Sequence, residues 1–131
     1  MWSRKPIVLI ADDNEAVREI TKLLLEMEDC LVLQAADGYE AVDAARATAP
    51  DMALIDIHMP AMDGLEVANR LRQQQSLRDI PIIAITANHD RCREAIAAGC
   101  NECLKKPLLL DGIQRLLVKY LGHLDNQRLT A

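Results

Sequence analysis

Aromatic residues and long apolar runs are scarce in this sequence, and both absences limit its function. Its 131 residues include one Trp, two Tyr and no Phe, so aromatic platforms for stacking bases are lacking. The net charge is −5 and no block of basic residues is present, which argues against direct contact with nucleic acid. No run approaches the roughly 20 apolar residues that span a bilayer, and the N-terminal residues do not resemble a signal peptide. We therefore predict a cytoplasmic protein with no membrane association.

Cysteine is also infrequent, and its spacing allows two interpretations. The four cysteines would fit a reducing compartment as small apolar residues, at Cys30, Cys92, Cys100 and Cys103. The last three could instead join His89 as four zinc ligands, but the helical pattern over 90–99 would hold the two pairs roughly 12 Å apart. We therefore expect structural cysteines rather than a metal or redox centre.

Strand and helix patterns alternate along the whole chain. Short apolar runs predict strands at 6–11, 30–35, 52–56, 80–86 and 102–106. A helical pattern follows each of them, at 12–28, 38–48, 64–75, 90–99 and 108–121. With half of its residues hydrophobic, a chain of this length fits one domain.

The predicted strands are apolar at consecutive positions rather than at alternate ones. Both faces of the sheet must then be covered, as in a parallel sheet between two layers of helices. The sequence therefore predicts an α/β fold with an open, doubly wound sheet of five parallel strands. Such sheets bind their ligands at the carboxyl ends of the strands.

Polar residues follow the strands at this edge. Asp12 and Asp13 come after the first strand, Asp56 ends the third, Thr86 ends the fourth and Lys106 ends the fifth. Three converging carboxylates repel one another unless a cation lies among them, and oxygen ligands with open positions suit Mg²⁺. The ammonium and hydroxyl groups would suit a phosphoryl group, for which Asp56 is the candidate nucleophile.

The ordered motifs resemble the receiver domain of two-component response regulators, the CheY-like family. They are D-D at 12–13, D-I-H-M-P-x-M-D-G at 56–64, T-A at 86–87 and K-P at 106–107. The resemblance implies a flavodoxin-like, three-layer (βα)5 fold with strand order 2-1-3-4-5. It implies a single receiver domain over 1–131, with a core at about 6–121 and a C-terminal tail at 122–131.

The resemblance also implies the function of a phosphorelay switch. Asp56 would accept a phosphoryl group from the phosphohistidine of a sensor histidine kinase or a histidine phosphotransfer protein. Asp13 and Asp56 would bind Mg²⁺ directly, with Mn²⁺ as a substitute, Asp12 mostly through water and His58 through its backbone carbonyl. The domain would catalyse only its own phosphorylation and dephosphorylation, so it would not otherwise be an enzyme.

Further roles follow from the same resemblance. Thr86 would move its hydroxyl toward the phosphoryl group, Ala87 would keep space beside it, and Lys106 would form an ionic contact. Lys106 is preferred to Lys105 because it directly precedes Pro107, as in the family, and because neighbouring strand side chains point to opposite faces. The family often has a cis peptide bond before the proline at the position of Pro107.

Three positions are expected to modulate the switch. Cys103 replaces the Tyr or Phe that usually couples the threonine to the output surface of the family. His58 and Asn88 occupy positions that tune the lifetime of the phosphoryl group. The output surface itself would comprise 90–98, 103–105 and 109–121 and would bind a downstream protein, with the chain a monomer or a weak homodimer.

Alternative functions remain open at this point. Haloacid-dehalogenase-like phosphatases also form an aspartyl phosphate, but they need a second Asp where this chain has His58. A receiver-like binding module that works without phosphate would keep the fold alone, and the chain could also be the receiver of a larger regulator or hybrid kinase. Asp63, beside Gly64, is predicted to be a turn or N-cap residue outside the site.

Overall fold

The computed structural model describes residues 4–88 and 91–122, which form a five-stranded parallel sheet flanked by five helices. Strands β1 to β5 are Ile7–Ala11, Leu31–Ala35, Met52–Asp56, Ile82–Thr86 and Glu102–Lys105. Helices α1 to α5 are Glu15–Met27, Gly38–Thr48, Gly64–Arg72, Cys92–Ala97 and Leu110–Leu121. Within the described residues, no helix is both long and apolar enough to cross a membrane.

The order of the strands in the sheet is β2-β1-β3-β4-β5, and every neighbouring pair is parallel. The predicted fold class and strand order are therefore confirmed. The order reverses between β1 and β3, so the edge beyond their carboxyl ends is where this fold places a ligand.

Two apolar layers cover the two faces of the sheet. Alternate strand residues such as Leu9 and Ile55 belong to a cluster that includes residues of α2, α3 and α4. Their sequence neighbours, such as Ile10 and Leu54, belong to a second cluster formed with α1 and α5. Since successive strand side chains point to opposite faces, this arrangement explains why the strands are apolar at consecutive positions.

Four of the five predicted helices are longer than the observed ones, and for the third and fourth the contacts at their ends explain the difference. The pattern over 64–75 overruns α3, which ends at Arg72 and is followed by a separate 3-10 helix at Gln75–Leu77. The Arg72 guanidinium donates hydrogen bonds to the carbonyls of Leu77 and Ile80, which fold back beside the end of α3. The fourth helix, predicted at 90–99, spans only Cys92–Ala97, and Gly99 then takes a φ of 114° that a helix cannot continue.

The expectation that all four cysteines serve as small apolar residues is wrong for two of them. Cys92 and Cys103 form a disulfide with their Cα atoms 5.5 Å apart. The prediction placed the cysteines at opposite ends of the fourth helix, about a helix length apart. It did not consider that β5 runs antiparallel to α4 and so brings Cys103 back toward the start of the helix. Cys30 and Cys100 are buried outside this bond. His89, the first residue of the alternative zinc set, lies outside the described residues.

Candidate functional site

Three carboxylates meet at the edge of the sheet where β1 and β3 end. Asp12 and Asp13 follow β1, Asp56 is the last residue of β3, and one oxygen of each lies within 4.8 Å of the others. Asp12 and Asp56 are each only 5% exposed, whereas Asp13 is exposed. The hydrophobic run of each strand thus delivers an acidic group directly to the boundary between core and solvent.

Lys106 supplies the compensating charge in this cluster. Its Nζ atom lies 2.9 Å from Asp12 Oδ2 and 3.0 Å from Asp56 Oδ2, while Lys105, at the end of β5, is exposed. The three ionised carboxylates carry one negative charge each and Lys106 one positive charge, so a deficit of two positive charges remains. A divalent cation would balance it, and the all-oxygen donor set with one solvent-facing member fits Mg²⁺.

Backbone amides orient the two buried carboxylates. The Asn14 N–H donates to Asp12 Oδ1 at 2.8 Å, and the His58 N–H donates to Asp56 Oδ1 at 3.1 Å. Each carboxylate therefore has one oxygen held by an amide and the other by Lys106. These amide contacts were not expected from the motifs, although an Asp whose oxygen accepts from the amide two residues ahead is a common feature of turns.

Burial and ion pairing act against each other on the ionisable groups. Burial raises the pKa of Asp56, and the contacts with Lys106 and the His58 amide offset only part of this rise. Burial alone would lower the pKa of Lys106, but its bonds to Asp12 and Asp56 raise it overall. The lysine therefore remains charged, and the carboxylate at Asp56 carries unfavourable desolvation that a further cation would relieve.

Gly64 allows helix α3 to begin directly against the end of β3. A Cβ at this position would collide with the Asp56 carbonyl oxygen and lie 2.9 Å from the Ile57 Cα. Asp63 caps the helix by accepting from the Glu66 N–H at 3.0 Å, which confirms its predicted N-cap role. The D-G pair of the motif thus fixes the backbone behind Asp56 rather than adding a ligand.

The remaining predicted site residues belong to β4, β5 and the segments that follow these two strands. Thr86 is fully buried at the end of β4, and its hydroxyl accepts from the Asn88 N–H at 3.4 Å. Ala87 and Asn88 are exposed, as is Pro107, which follows a cis peptide bond after Lys106.

Cys103 lies within β5, opposite Ala84 of β4, and is bonded to Cys92. The motifs gave no indication that Cys92 would be bonded to a switch residue.

Comparisons with known proteins agree with this geometry. The model of the response regulator receiver domain family matches residues 8–118. The polar-differentiation response regulator DivK of Brucella ovis is 34% identical over 120 residues, which cover 88% of this chain and 95% of DivK. The match therefore extends over nearly the full length of both proteins.

Two solved structures show the same fold. The receiver domain of the sensor histidine kinase PA1611 from Pseudomonas aeruginosa, solved with magnesium coordinated in its active-site cleft, is 31% identical with a TM-score of 0.84. That match covers 90% of this chain and 98% of the other. The chemotaxis protein CheY4 of Vibrio cholerae is 28% identical with a TM-score of 0.83, covering 88% and 98%. By family match, sequence identity and fold, the chain belongs to the receiver-domain family of two-component response regulators.

Proposed function

We propose that this protein is a phosphorelay switch in which Asp56 accepts a phosphoryl group in an Mg²⁺-dependent reaction. The single observation that supports this most strongly is the joint position of Asp12, Asp13 and Asp56 beside Lys106. A carboxylate that served only to end a strand would not need two further carboxylates and a lysine around it. The proposed switch is one receiver domain over 1–131, with its core at about 6–121.

The proposed chemistry transfers the phosphoryl group from nitrogen to oxygen. A carboxylate oxygen of Asp56 attacks phosphorus, the P–N bond of a phosphohistidine breaks, and its electron pair returns to the imidazole of the donor, giving an aspartyl phosphate. The bound Mg²⁺, held by Asp13, Asp56, the His58 carbonyl and, through water, Asp12, would offset charge on the phosphoryl oxygens. Mn²⁺ would serve as a substitute.

The neighbouring residues of the chain have separate roles in this proposal. Lys106 already lies 3.0 Å from Asp56 Oδ2, so it can follow the charge onto a phosphoryl oxygen. Thr86 would exchange its contact with the Asn88 N–H for one with the phosphoryl group, and the small side chain of Ala87 leaves room beside it. Asn88 and His58 would tune the lifetime of the phosphoryl group.

The proposed partners follow from this chemistry. A sensor histidine kinase or a histidine phosphotransfer protein donates the phosphoryl group, and a cytoplasmic protein target reads the altered surface of α4, β5 and α5. Of the surface predicted for this role, residue 90 lies outside the described residues. We propose a monomer or weak homodimer that contacts neither nucleic acid nor membrane directly.

The test is intact-protein mass spectrometry after incubation with acetyl phosphate, with and without Mg²⁺. We expect a single phosphoryl adduct that requires the metal, is lost in Asp56→Asn and is retained in Asp43→Asn. Asp43 is the matched control because it is an exposed carboxylate on α2, away from the carboxyl edge of the sheet. An adduct that persisted in Asp56→Asn would refute the assignment of the acceptor.

A folded protein that binds Mg²⁺ but forms no adduct would favour the binding module that works without phosphate. To separate this from a strict requirement for a protein donor, the same incubation would be repeated with a phosphorylated histidine phosphotransfer protein. Failure with both donors would overturn the proposed switch.

A further inference from the structure

A disulfide joins two elements of the proposed output surface. Cys92 is the first residue of α4 and Cys103 is the second residue of β5, 11 positions later. The bond therefore closes the crossover between these elements into a covalent loop. It connects the helix directly to the strand that leads to Lys106.

The environment of this pair differs from that of the other cysteines. Cys92 and Cys103 are half-buried, so small oxidants and reductants can reach them, whereas Cys30 and Cys100 are 3% and 6% exposed. Burial raises the pKa of Cys100 to about 11, which leaves almost no reactive thiolate at neutral pH. Thiol chemistry in the folded protein is thus directed to one pair.

Within the part of the chain that the structure describes, α4 buries few of its side chains. The helix has six residues, only Ala95 among them is buried, and the N-cap residue Arg91 provides no side-chain cap. Arg91 does contact Asp63 and Glu94, but these are partly exposed ion pairs, which contribute little. The disulfide is therefore the strongest described constraint on the position of this helix start.

We propose that Cys92 and Cys103 are a reversible dithiol–disulfide modification site that fastens α4 to β5 when oxidised and releases it when reduced. With a peroxide as oxidant, one thiolate attacks the O–O bond and becomes a sulfenic acid, and the second thiol then displaces water from its sulfur. In sum, two thiols and one hydrogen peroxide give one disulfide and two waters. A dithiol reductant reverses the bond through a mixed disulfide.

The consequence for signalling rests on the proposed function. If phosphorylation of Asp56 shifts α4 relative to β5, the oxidised form restricts that shift and the reduced form permits it. The disulfide would then act as a second input on the same surface, independent of the kinase.

The first experiment tests the modification site without any phosphodonor. The reduced, folded protein is treated with hydrogen peroxide, the remaining thiols are alkylated, and the products are mapped by peptide mass spectrometry. We expect a Cys92–Cys103 peptide that dithiothreitol removes, that Cys92→Ser and Cys103→Ser abolish, and that Cys100→Ser leaves intact. Oxidation that instead fell on Cys30 or Cys100, or no disulfide in the folded chain, would overturn the proposal.

Hydrogen exchange then measures the effect on α4. We expect the amides of α4 to exchange at least about tenfold more slowly in the oxidised wild-type protein than in the reduced one. The exchange rates of α2 should be the same in both forms. Equal exchange in both states would show that the bond does not constrain the helix and would overturn the fastening role. Because neither measurement uses phosphate, failure of the phosphorylation reaction would not be confused with failure of this site.

Discussion

Glu102 provides the most quantitative prediction from this structure. It is the first residue of β5 and is contacted by three residues of α5: Arg115 at 3.0 Å, Lys119 at 2.8 Å and the Tyr120 hydroxyl at 2.6 Å. Burial alone would raise its pKa, but these three hydrogen bonds lower the pKa from 4.5 to about 2. We predict that Glu102→Gln destabilises the protein in a pH-dependent manner.

The magnitude follows from linkage between protonation and folding. A pKa that falls from 4.5 to about 2 corresponds, at 1.36 kcal/mol per unit, to at most about 3.4 kcal/mol. Solvent screens the contacts, since the side chains of Arg115 and Lys119 are 48% and 53% exposed, so we expect about 1–2 kcal/mol. Because the folded pKa lies below the unfolded one, this stabilisation is complete above about pH 5 and is lost as the pH falls through 4.5 toward 2.

Urea unfolding at pH 7 and at about pH 3.5 measures both parts of this prediction. The difference between wild type and Glu102→Gln should be about 1–2 kcal/mol at pH 7 and should fall to roughly half of that at the lower pH. Glu26→Gln, which removes the partner of Lys22 on the surface of α1, is the control and should change stability by less than about 0.5 kcal/mol. A difference at pH 7 no larger than that of the control, or one that stayed constant down to pH 3.5, would refute the reasoning.

Three further perturbations test other parts of the structure. Asp13→Asn removes one negative charge from the acidic cluster and should weaken Mg²⁺ binding about tenfold or more in calorimetric titration; unchanged affinity would exclude Asp13 as a ligand. Gly64→Ala places a Cβ against the backbone of Asp56 and should cost about 1–3 kcal/mol in thermal unfolding, whereas a neutral result would mean that α3 moves freely. Arg72→Ala removes hydrogen bonds to the Gly99 carbonyl and to the chain after α3 and should cost about 2–3 kcal/mol in urea unfolding, a loss that Arg72→Lys should only partly restore.

The fold could be predicted from the sequence because the apolar pattern of the strands indicates whether one or both faces of the sheet are buried. The run 82–85 within β4 is apolar at every position, and only a strand covered on both faces needs this pattern. The end of α3 could not be predicted in the same way. It depends on Arg72 reaching carbonyls five to eight residues further along, and no local propensity encodes such a contact.

The residues of the site were predictable for a related reason. Parallel strands bring their carboxyl ends to one edge, so Asp12 and Asp56 converge once the strands are recognised. The disulfide was missed because the prediction measured the separation of cysteines along the helix alone. Cys103 comes close to Cys92 only because β5 returns beside α4, and this is a property of the tertiary fold.

The short strand β5 connects the site to both neighbouring helices. Glu102 binds α5, Cys103 is bonded to α4, and the chain then leads to Lys106, which contacts Asp56. A change in charge at Asp56 alters the balance of forces on Lys106, and a displacement of β5 would act on the groups that join it to the two helices. Because position 103 is Cys rather than an aromatic residue, we expect the contacts of Glu102 to link β5 with α5 and the disulfide to hold α4 against β5. We therefore expect reduction of the disulfide to let α4 shift relative to β5, while the Glu102 contacts still join β5 to α5.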